Sequence, residues 1–200
     1  ESYYQETGRA GRDGGEGKCL SFYSYKDIEK LEKFLQGKAV AEQEIGKQLL
    51  SDMVSYAETS VCRRKYILHY FGEQFDDKNC NSKCDNCQVP KEKIEGKSFV
   101  LMLLNVIDQL NQMHKAKHYC SFLTGKETTD IKQYNHQSLD SFGIGKQKDE
   151  FFWNAVVRQA CLAGLLQKEI DSYGLLKITD TGKKFIAKPT SFSLIKERDY

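Results

Sequence analysis

The chain has 200 residues, of which 40% are hydrophobic and 29% charged, and its formal net charge at pH 7 is +2. This length fits two small domains, and the mild basicity neither requires nor excludes a nucleic-acid partner, because local charge matters more than the total. No run of about 18 apolar residues is present, and no signal-like segment opens the chain, so neither a membrane span nor secretion is expected. The chain begins with Glu1 instead of Met and is interpreted as part of a longer protein.

The first segment, residues 1 to 17, is rich in glycine and carries Arg9 and Arg12 three positions apart. That spacing would place both guanidinium groups on one face of a helix, where they can bind phosphate oxygens. A solvated basic loop is the alternative interpretation. A short strand is predicted over the mostly apolar residues 19 to 23.

Two helices are predicted next, because apolar residues recur at helical spacing. Their markers are Ile45, Leu49, Met53, Tyr56 and Ala57 for the first, and Cys62, Tyr66, Ile67, Tyr70 and Phe71 for the second. A polar loop over residues 76 to 88 then interrupts the pattern. The charged segment that follows, residues 91 to 97, is predicted to be a linker.

Four of the seven cysteines are candidate metal ligands: Cys80, Cys84 and Cys87 lie in this polar loop, and Cys62, in the helix before it, would close the site across space. An odd number of cysteines, clustered in a chain without a secretion signal, favours metal binding over disulfides. Zinc takes four thiolates in a tetrahedron that leaves no position for water, so a structural zinc site is predicted, with metal binding supplying the folding energy of the loop. A redox Cys-x-x-Cys pair and simple buried thiols are the alternatives. The remaining cysteines are predicted to be core residues: Cys19, Cys120 and Cys161.

After the linker the helical pattern restarts. Helices are predicted at residues 99 to 110, at about 128 to 139 and at 153 to 160, followed by a hairpin over residues 166 to 178. This order is typical of a winged helix. Ile170 and Leu176 are expected to anchor the hairpin, with Tyr173 at its turn and Gly174 adopting a positive φ.

Three motifs resemble one family. The run YYQETGRAGRDG over residues 3 to 14 is similar to motif VI of the RecQ helicases, which closes the second lobe of their motor. The runs CRR at 62 to 64, YFGE at 70 to 73 and CDNC at 84 to 87 resemble the zinc-binding subdomain of that family. FGIGK at 142 to 146, residues 153 to 159 and AGLL at 163 to 166 resemble its winged helix. The gap between Cys80 and Cys84 is one residue longer than the tight bacterial form.

The resemblance implies roles for the first segment. Arg12 would be the arginine finger that faces the γ-phosphate of ATP, Arg9 would couple nucleotide state to the cleft, and Gln5 would help to hold the site. The sequence has no Gly-x4-Gly-Lys-Ser/Thr loop: residues 96 to 98 resemble its end, but the first glycine position is Lys91, and no strand is predicted before it. The chain is therefore expected to be inactive alone, with ATP and Mg²⁺ used by the full-length parent.

The resemblance also implies contact with DNA. Lysines and helix N-termini bind phosphates. The candidate contacts are Lys126, Thr128 and Lys132, at the start of the second helix predicted for the winged helix, and Lys146, before its third. Lys148 is a further candidate, and scattered surface lysines are the alternative interpretation for each. Where some relatives carry arginines this chain has Thr124 and Asp130. Tyr173 would stack on a terminal base pair or be an ordinary exposed turn residue.

The sequence thus predicts a mainly helical α+β fold. Its parts are the end of a RecA-like motor lobe (1–25), a helical four-cysteine zinc module (26–90), a winged helix (91–188) and a linker (189–200). The resemblance implies the C-terminal region of an ATP-dependent 3′-to-5′ DNA helicase of replication, recombination and repair. A stand-alone zinc and winged-helix DNA-binding adaptor is the alternative. Expected partners are duplex DNA, single-strand/duplex junctions and a single-strand-binding protein. A bacterial cytoplasmic (nucleoid) location is favoured over a eukaryotic nuclear one.

Overall fold

The structure is a computed structural model, and it describes residues 2–89, 91–169 and 172–197. Its α-helices are α1 (Ser2–Thr7), α2 (Tyr25–Leu35), α3 (Val40–Glu58), α4 (Arg63–Tyr70), α5 (Asp85–Gln88), α6 (Lys97–Gln109), α7 (Ala116–Thr124), α8 (Thr129–Gln133), α9 (Glu150–Leu162) and α10 (Asp180–Ala187). Its strands are β1 (Lys93–Glu95), β2 (Leu166–Glu169), β3 (Leu175–Ile178) and β4 (Ser193–Ile195). Two 3₁₀ turns lie at Asp77–Cys80 and His136–Ser138. No described helix is both long and apolar enough to cross a membrane.

The first segment differs from its prediction in two ways. Helix α1 ends at Thr7, so Arg9 and Arg12 lie in the turns that follow instead of on a helical face. Residues 16–24, all of them described, form no strand, and Leu20 and Phe22 are 83% and 92% exposed. A strand needs a neighbour to satisfy its backbone groups, and none of the described strands pairs with this segment. The expected strand and a core position for Cys19, which is exposed, are therefore wrong.

The helical module confirms the two helices predicted from apolar spacing, as α3 and α4, but its interior is small. Neither α3 nor α4 contains a buried residue. The side chains that are buried between residues 59 and 88 surround the four cysteines: Thr59, Ser60, Val61, Cys62, Cys80 and Asn86. Apolar burial alone therefore stabilises this module little, which fits a fold completed by a metal ion.

The second half has a conventional apolar core. Helix α6 places Val100, Leu103 and Ile107 on one buried face, against which α7 and α9 pack. Trp153 of α9 is fully buried, and its indole N–H donates to the carbonyl oxygen of Gly145 at 3.0 Å. Strands β2 and β3 pair antiparallel and complete the expected winged helix.

Two helices of this half were not predicted. Helix α7 is buried at His118 through Leu123, so its sequence lacks the alternation of apolar and polar faces by which a surface helix is recognised. Helix α10 is short and begins where the Thr179 hydroxyl accepts a hydrogen bond from the Gly182 amide at 3.0 Å. The helix predicted at 128 to 139 is correspondingly reduced to α8 and a 3₁₀ turn.

The predicted linkers at 91 to 97 and 189 to 200 are wrong where they are described, because each contributes a strand. Ile94 of β1 pairs with Leu194 of β4, whose side chain is only 1% exposed. The Gln159 side chain of α9 fixes β4 by donating to the Ile195 carbonyl at 2.7 Å and accepting from the Ile195 amide at 2.8 Å. Neither segment is apolar enough to predict a strand alone, so the pairing depends on residues about a hundred positions away.

Leu194→Ala tests whether β4 belongs to the winged helix. The substitution empties a buried position and should lower the free energy of unfolding by about 2–5 kcal/mol, measured by urea denaturation. Ser193→Ala, at an exposed position of the same strand, is the matched control and should change stability by less than about 0.5 kcal/mol. Equal denaturation midpoints for Leu194→Ala and wild type would restore the linker interpretation.

Three ion pairs join the winged helix to α3. They connect Lys115 to Glu44 at 2.6 Å, Lys168 to Asp52 at 2.5 Å, and Arg158 to Glu58 at 3.7 Å. Burial acts to lower the pKa of Lys168, but the Asp52 carboxylate outweighs it, and the pKa is raised. Arg158 also reaches Glu197 after β4, at 3.4 Å. The two halves therefore meet through charged side chains.

Candidate metal centre and nucleic-acid interface

The four predicted cysteine ligands converge. Cys62 immediately precedes α4, Cys80 ends the first 3₁₀ turn, and Cys84 and Cys87 lie at the start and within α5. Their Sγ atoms all lie within 4.8 Å of one another, with Cys84 and Cys62 3.9 Å apart. Four sulfurs about 2.3 Å from a zinc ion form a tetrahedron with edges of about 3.8 Å, so the donor set fits zinc.

The protonation of these thiols opposes metal binding at low pH. Burial raises the pKa of Cys62 and that of Cys87 above their usual values. Zinc binds thiolates, so loading this cluster must release protons, and its affinity for zinc must fall as the pH falls. The filled sulfur shell leaves no position for water, and the zinc would act as a structural crosslink between α4 and the polar loop.

Side chains around the cysteines hold the cluster in shape. Asn86, between Cys84 and Cys87, is fully buried, and its amide nitrogen donates to the carbonyl oxygens of Thr59 and Val61 at 2.6 and 2.8 Å. These bonds tie α5 to the turn that presents Cys62. The resemblance included Asn86 within a motif, but its bracing role was not predicted.

A second brace links the same elements through charge. Arg63 forms a two-point ion pair with Asp85, with nitrogen–oxygen distances of 3.0 and 3.1 Å. Its third nitrogen donates to the carbonyl oxygens of Tyr56 and Ala57 at the end of α3. One guanidinium therefore joins α3, α4 and α5, and a planar group with several donors is suited to this role.

Lys91 is a further residue that sequence reasoning missed, since it lies in the supposed linker. Its ammonium is 3.6 Å from the Cys87 sulfur and 3.3 Å from the Asp77 carboxylate. Burial acts to lower its pKa, but Cys87 and Asp77 outweigh burial and raise it. A zinc ion with four thiolates carries a net charge of −2, which this cation would partly neutralise.

The candidate nucleotide residues share one open surface. Gln5, Arg9 and Arg12 line a shallow depression together with Tyr4 and Gly8. The Arg9 guanidinium lies 3.2 Å from the Glu6 carboxylate, and both side chains are exposed. This surface is accessible to a phosphate group.

Aromatic contacts hold α1 against the zinc module. Tyr3 lies with its ring centroid 5.1 Å from that of Tyr56, and their hydroxyls are 3.2 Å apart. Tyr4 contacts Phe71 at 4.7 Å between centroids. The position of the arginine surface therefore depends on α3 and α4.

A basic platform forms where the end of α7 meets the loop before α9. We define it as Thr124, Lys126, Lys146 and Lys148; Asp149 and Glu150 line the same depression, so its basicity is local to the lysines. Its backbone is closely packed, because Gly125 and Gly143 face each other at positive φ and a Cβ on either would lie 3.3 Å from the other's Cα. Hydrogen bonds from the Gly143 and Gly145 amides to the α7 carbonyls, each of 2.9 Å, complete the join.

The predicted DNA contacts are not equivalent. Lys126 lies 3.0 Å from the Glu150 carboxylate, and Lys132 lies 3.1 Å from Glu127. Burial acts to raise the pKa of Glu150, but the hydrogen bond from Lys126 outweighs it, so the carboxyl pKa is lowered. Among the described residues no carboxylate lies within ion-pair distance of the exposed Lys146. Lys146 is thus the best placed to bind a phosphate.

Two other predicted DNA contacts, Lys148 and Thr128, already have structural partners within the winged helix. The Lys148 ammonium lies over the rings of Phe99 and Phe152, at 5.7 and 4.9 Å from their centroids. The Thr128 hydroxyl accepts from the Ile131 amide at 3.2 Å and caps α8. Neither Thr128 nor Lys132 lines the depression of the basic platform.

The wing is short and lies against α3. Tyr173 is 41% exposed, and Tyr173 and Gly174 adopt φ values of 52° and 89°, as predicted for the glycine. A Cβ on Gly174 would clash with the Gln48 side chain, so the end of the hairpin touches the zinc module. Leu176 is fully buried, as expected, whereas Ile170 and the turn residue 171 lie outside the described residues.

Comparison with known proteins matches both halves of the chain. A family model described as RecQ zinc-binding matches residues 25–88, and one described as the RQC domain matches residues 90–200. The ATP-dependent DNA helicase RecQ of Pasteurella multocida is 32% identical over 200 residues, covering 99% of this chain and 31% of that protein. The protein of the same name from Haemophilus influenzae is 35% identical over 185 residues, covering 92% of this chain and 30% of that protein. The ATP-dependent helicase SGS1 of Saccharomyces cerevisiae is 31% identical over 201 residues, covering 93% of this chain and 14% of that protein.

These matches explain the order of the elements. The chain spans about a third of the length of the two bacterial relatives it matches. The zinc-binding model covers all four cysteines and identifies zinc as the metal that suits them. The match to the RQC model extends over the basic platform, the wing and strand β4. This chain belongs to the RecQ family, of which it carries the zinc-binding and RQC domains.

Proposed function

We propose that this chain is the C-terminal region of an ATP-dependent DNA helicase that unwinds duplex DNA in the 3′-to-5′ direction, in replication, recombination and repair. The observation that carries the proposal is the open surface of Gln5, Arg9 and Arg12, attached by aromatic contacts to the zinc module. A pure DNA-binding adaptor has no use for paired arginines exposed to a phosphate. The similar proteins of the two bacteria are named ATP-dependent DNA helicases, which supports the same conclusion.

In this proposal each residue of the arginine surface acts on the nucleotide of the full-length protein. Arg12 stabilises the charge that develops on the transferring phosphoryl group, Arg9 links nucleotide state to the position of the lobes, and Gln5 orients the site. ATP and Mg²⁺ bind mainly to the other motor lobe, which supplies the phosphate-binding loop. The residues described in this structure form no such loop. The isolated chain therefore has no ATPase activity.

The adaptor is separated from the helicase by one measurement on the full-length protein. A helicase hydrolyses ATP in response to single-stranded DNA, whereas an adaptor shows no DNA-stimulated hydrolysis. Absence of DNA-stimulated ATPase in the full-length protein would establish the adaptor.

A single-strand-binding protein as partner and a nucleoid location are also part of the proposal. A motor that exposes single strands works where such strands are protected.

For DNA we propose that the winged helix, through its basic platform, provides most of the duplex affinity of this chain. Lys146→Gln should weaken duplex binding for all sequences alike and reduce the slope of log K against log salt by about 1, because one phosphate contact is lost. Fluorescence anisotropy at several salt concentrations measures both effects.

Lys132→Gln is the matched control, since Glu127 already partners that ammonium and it lies away from the platform. It should change the slope less than Lys146→Gln does. Equal slopes for wild type and Lys146→Gln would remove the platform from the interface. A chain ending at residue 89 that bound duplex as tightly as the whole chain would assign the affinity to the zinc module instead.

Tyr173 is proposed to stack on the terminal base pair at the junction of paired and unpaired strands. Stacking of a base on an aromatic ring contributes about 1–3 kcal/mol, so Tyr173→Ala in the full-length helicase should slow unwinding of a forked duplex several-fold while ATPase stimulation by single strands is kept. Tyr173→Phe is the control and should unwind at the wild-type rate. Unchanged unwinding by Tyr173→Ala would leave it as a turn residue, and strand separation would then have to occur at another element.

A further inference from the structure

Three of the four histidines of the chain converge within the winged helix, outside the four-cysteine cluster. One ring nitrogen from each of His114, His118 and His136 lies within 4.8 Å of the others. Nε2 of His118 and Nδ1 of His136 are 2.9 Å apart. The rings of His114 and His118 stack with centroids 3.8 Å apart and planes inclined by 9°.

The fold positions these rings independently of one another. His114 lies two residues before α7, outside the helix, and His118 lies in the first turn of α7. Their stacked rings show that both side chains face the same side. The peptide of His114 is fixed on both sides, because its amide donates to the Tyr119 hydroxyl at 3.2 Å and its carbonyl accepts from the Leu176 amide at 3.0 Å. His136 comes from the second 3₁₀ turn, on the other side of α8.

The surroundings keep the rings neutral and partly shielded from water. His114 and His118 are 9% and 7% exposed. Burial lowers the pKa of all three imidazoles, and together with the two neighbouring rings it lowers that of His118 to about 4. Asp130 is the acidic group that acts on His114 in the opposite direction. Neutral imidazole has the lone pair that a metal ligand needs.

We propose that His114, His118 and His136 form a second metal site, for a divalent transition-metal ion of the zinc class. Three nitrogens about 2.1 Å from a tetrahedral zinc ion lie about 3.4 Å apart, so His118 and His136 need to separate by roughly 0.5 Å. His114 needs to turn out of its stack on His118. The fourth position is left to water, in contrast to the four-cysteine site.

Such a site would fasten α8 and the second 3₁₀ turn to α7. Lys126 and Thr128 lie in the short segment between the end of α7 and the start of α8, and α8 is only five residues long. A metal bridge between His118 and His136 would therefore stiffen one border of the basic platform. This role is separate from ATP hydrolysis and does not depend on the helicase proposal.

The experiment uses the whole chain with one zinc already bound at the cysteines, titrated with Zn²⁺ in an isothermal calorimeter. Wild type should take up one further equivalent. His136→Asn, which changes the least buried of the three ligands and retains a hydrogen-bonding side chain, should weaken that equivalent by about 100-fold or more, since changes outside the ligand shell already weaken binding about 10- to 100-fold. His69→Asn, on α4, is the matched control and should bind two equivalents like wild type.

Two further measurements keep the test decisive. The side-chain ¹⁵N signals of His114, His118 and His136 should shift with the second equivalent in wild type, while those of His69 should not. With Co²⁺ as the probe, the first equivalent should show thiolate charge-transfer absorption and the second should not. One equivalent in wild type, or two tight equivalents in a folded His136→Asn, would overturn the proposal. If His136→Asn does not fold, the ¹⁵N shifts of wild type decide.

Discussion

Arg12→Ala in the full-length protein should lower the rate of DNA-stimulated ATP hydrolysis by about 10³- to 10⁵-fold, the range that an arginine finger contributes. In the proposed role the guanidinium would act on charge that develops in the transition state, so nucleotide binding should change far less than turnover. Single-turnover hydrolysis and binding of a fluorescent nucleotide separate the two effects. The structure supports the assignment by placing Arg12 on an exposed surface shared with Gln5 and Arg9.

Lys18→Ala is the matched control for Arg12→Ala, because it removes an exposed cation six residues further along the chain that does not line the arginine surface. It should hydrolyse ATP at the wild-type rate. Arg12→Lys should remain strongly impaired, since an ammonium cannot reproduce the two-point contact of a guanidinium with phosphate. A wild-type turnover number for Arg12→Ala would show that another residue provides the finger.

Cys84→Ser should remove the zinc ion and unfold the loop around it. Zinc binding to structural sites of this kind contributes about 10–16 kcal/mol at neutral pH, and the described helices of the module bury few apolar side chains that could replace it. The zinc content at the cysteines, measured by metal analysis, should fall from one ion per chain to none. Hydrogen exchange should lose protection over residues 59 to 89 and keep it in the core around Trp153.

Two variants make the zinc prediction specific. Cys19→Ser is the matched control, because Cys19 is exposed and outside the cluster, and it should keep its zinc. Asn86→Ala keeps all four thiols but removes the brace to Thr59 and Val61, so it should bind zinc about 10- to 100-fold more weakly. Chelator-free wild-type protein that contained no zinc at the cysteines would refute the assignment.

The sequence predicted best what depends on local spacing or on strong chemical types. Helices α3, α4, α6 and α9 follow from apolar residues at helical spacing, and the four cysteines converge as their spacing suggested. Helix α7 was missed because burial on nearly all sides removes the amphipathic signal. The supposed linkers were misjudged because Ile94 and Leu194 stabilise a strand pair that exists only after the chain between them has folded.

The sequence also failed to predict which polar and charged side chains would pair with each other. The lysines near residue 126 were recognised as basic, but the carboxylate that offsets Lys126 comes from Glu150, and nothing in the spacing reveals it. Lys91 looked like part of a solvated charge run, yet it lies beside Cys87. Pairs of side chains that are distant in sequence can be identified only from the three-dimensional structure, because patterns of charge and hydrophobicity describe each residue by itself.

The ion pairs between the winged helix and α3 have a mechanical consequence. Carboxylates and ammonium groups attract each other across this junction, so part of the resistance to separating the two halves is electrostatic. Dissolved ions screen that attraction over about 8 Å at physiological salt and over about 3 Å at 1 M. Added salt should therefore weaken the more exposed Lys115–Glu44 pair more than the more buried Lys168–Asp52 pair, so the junction should loosen only in part at high ionic strength.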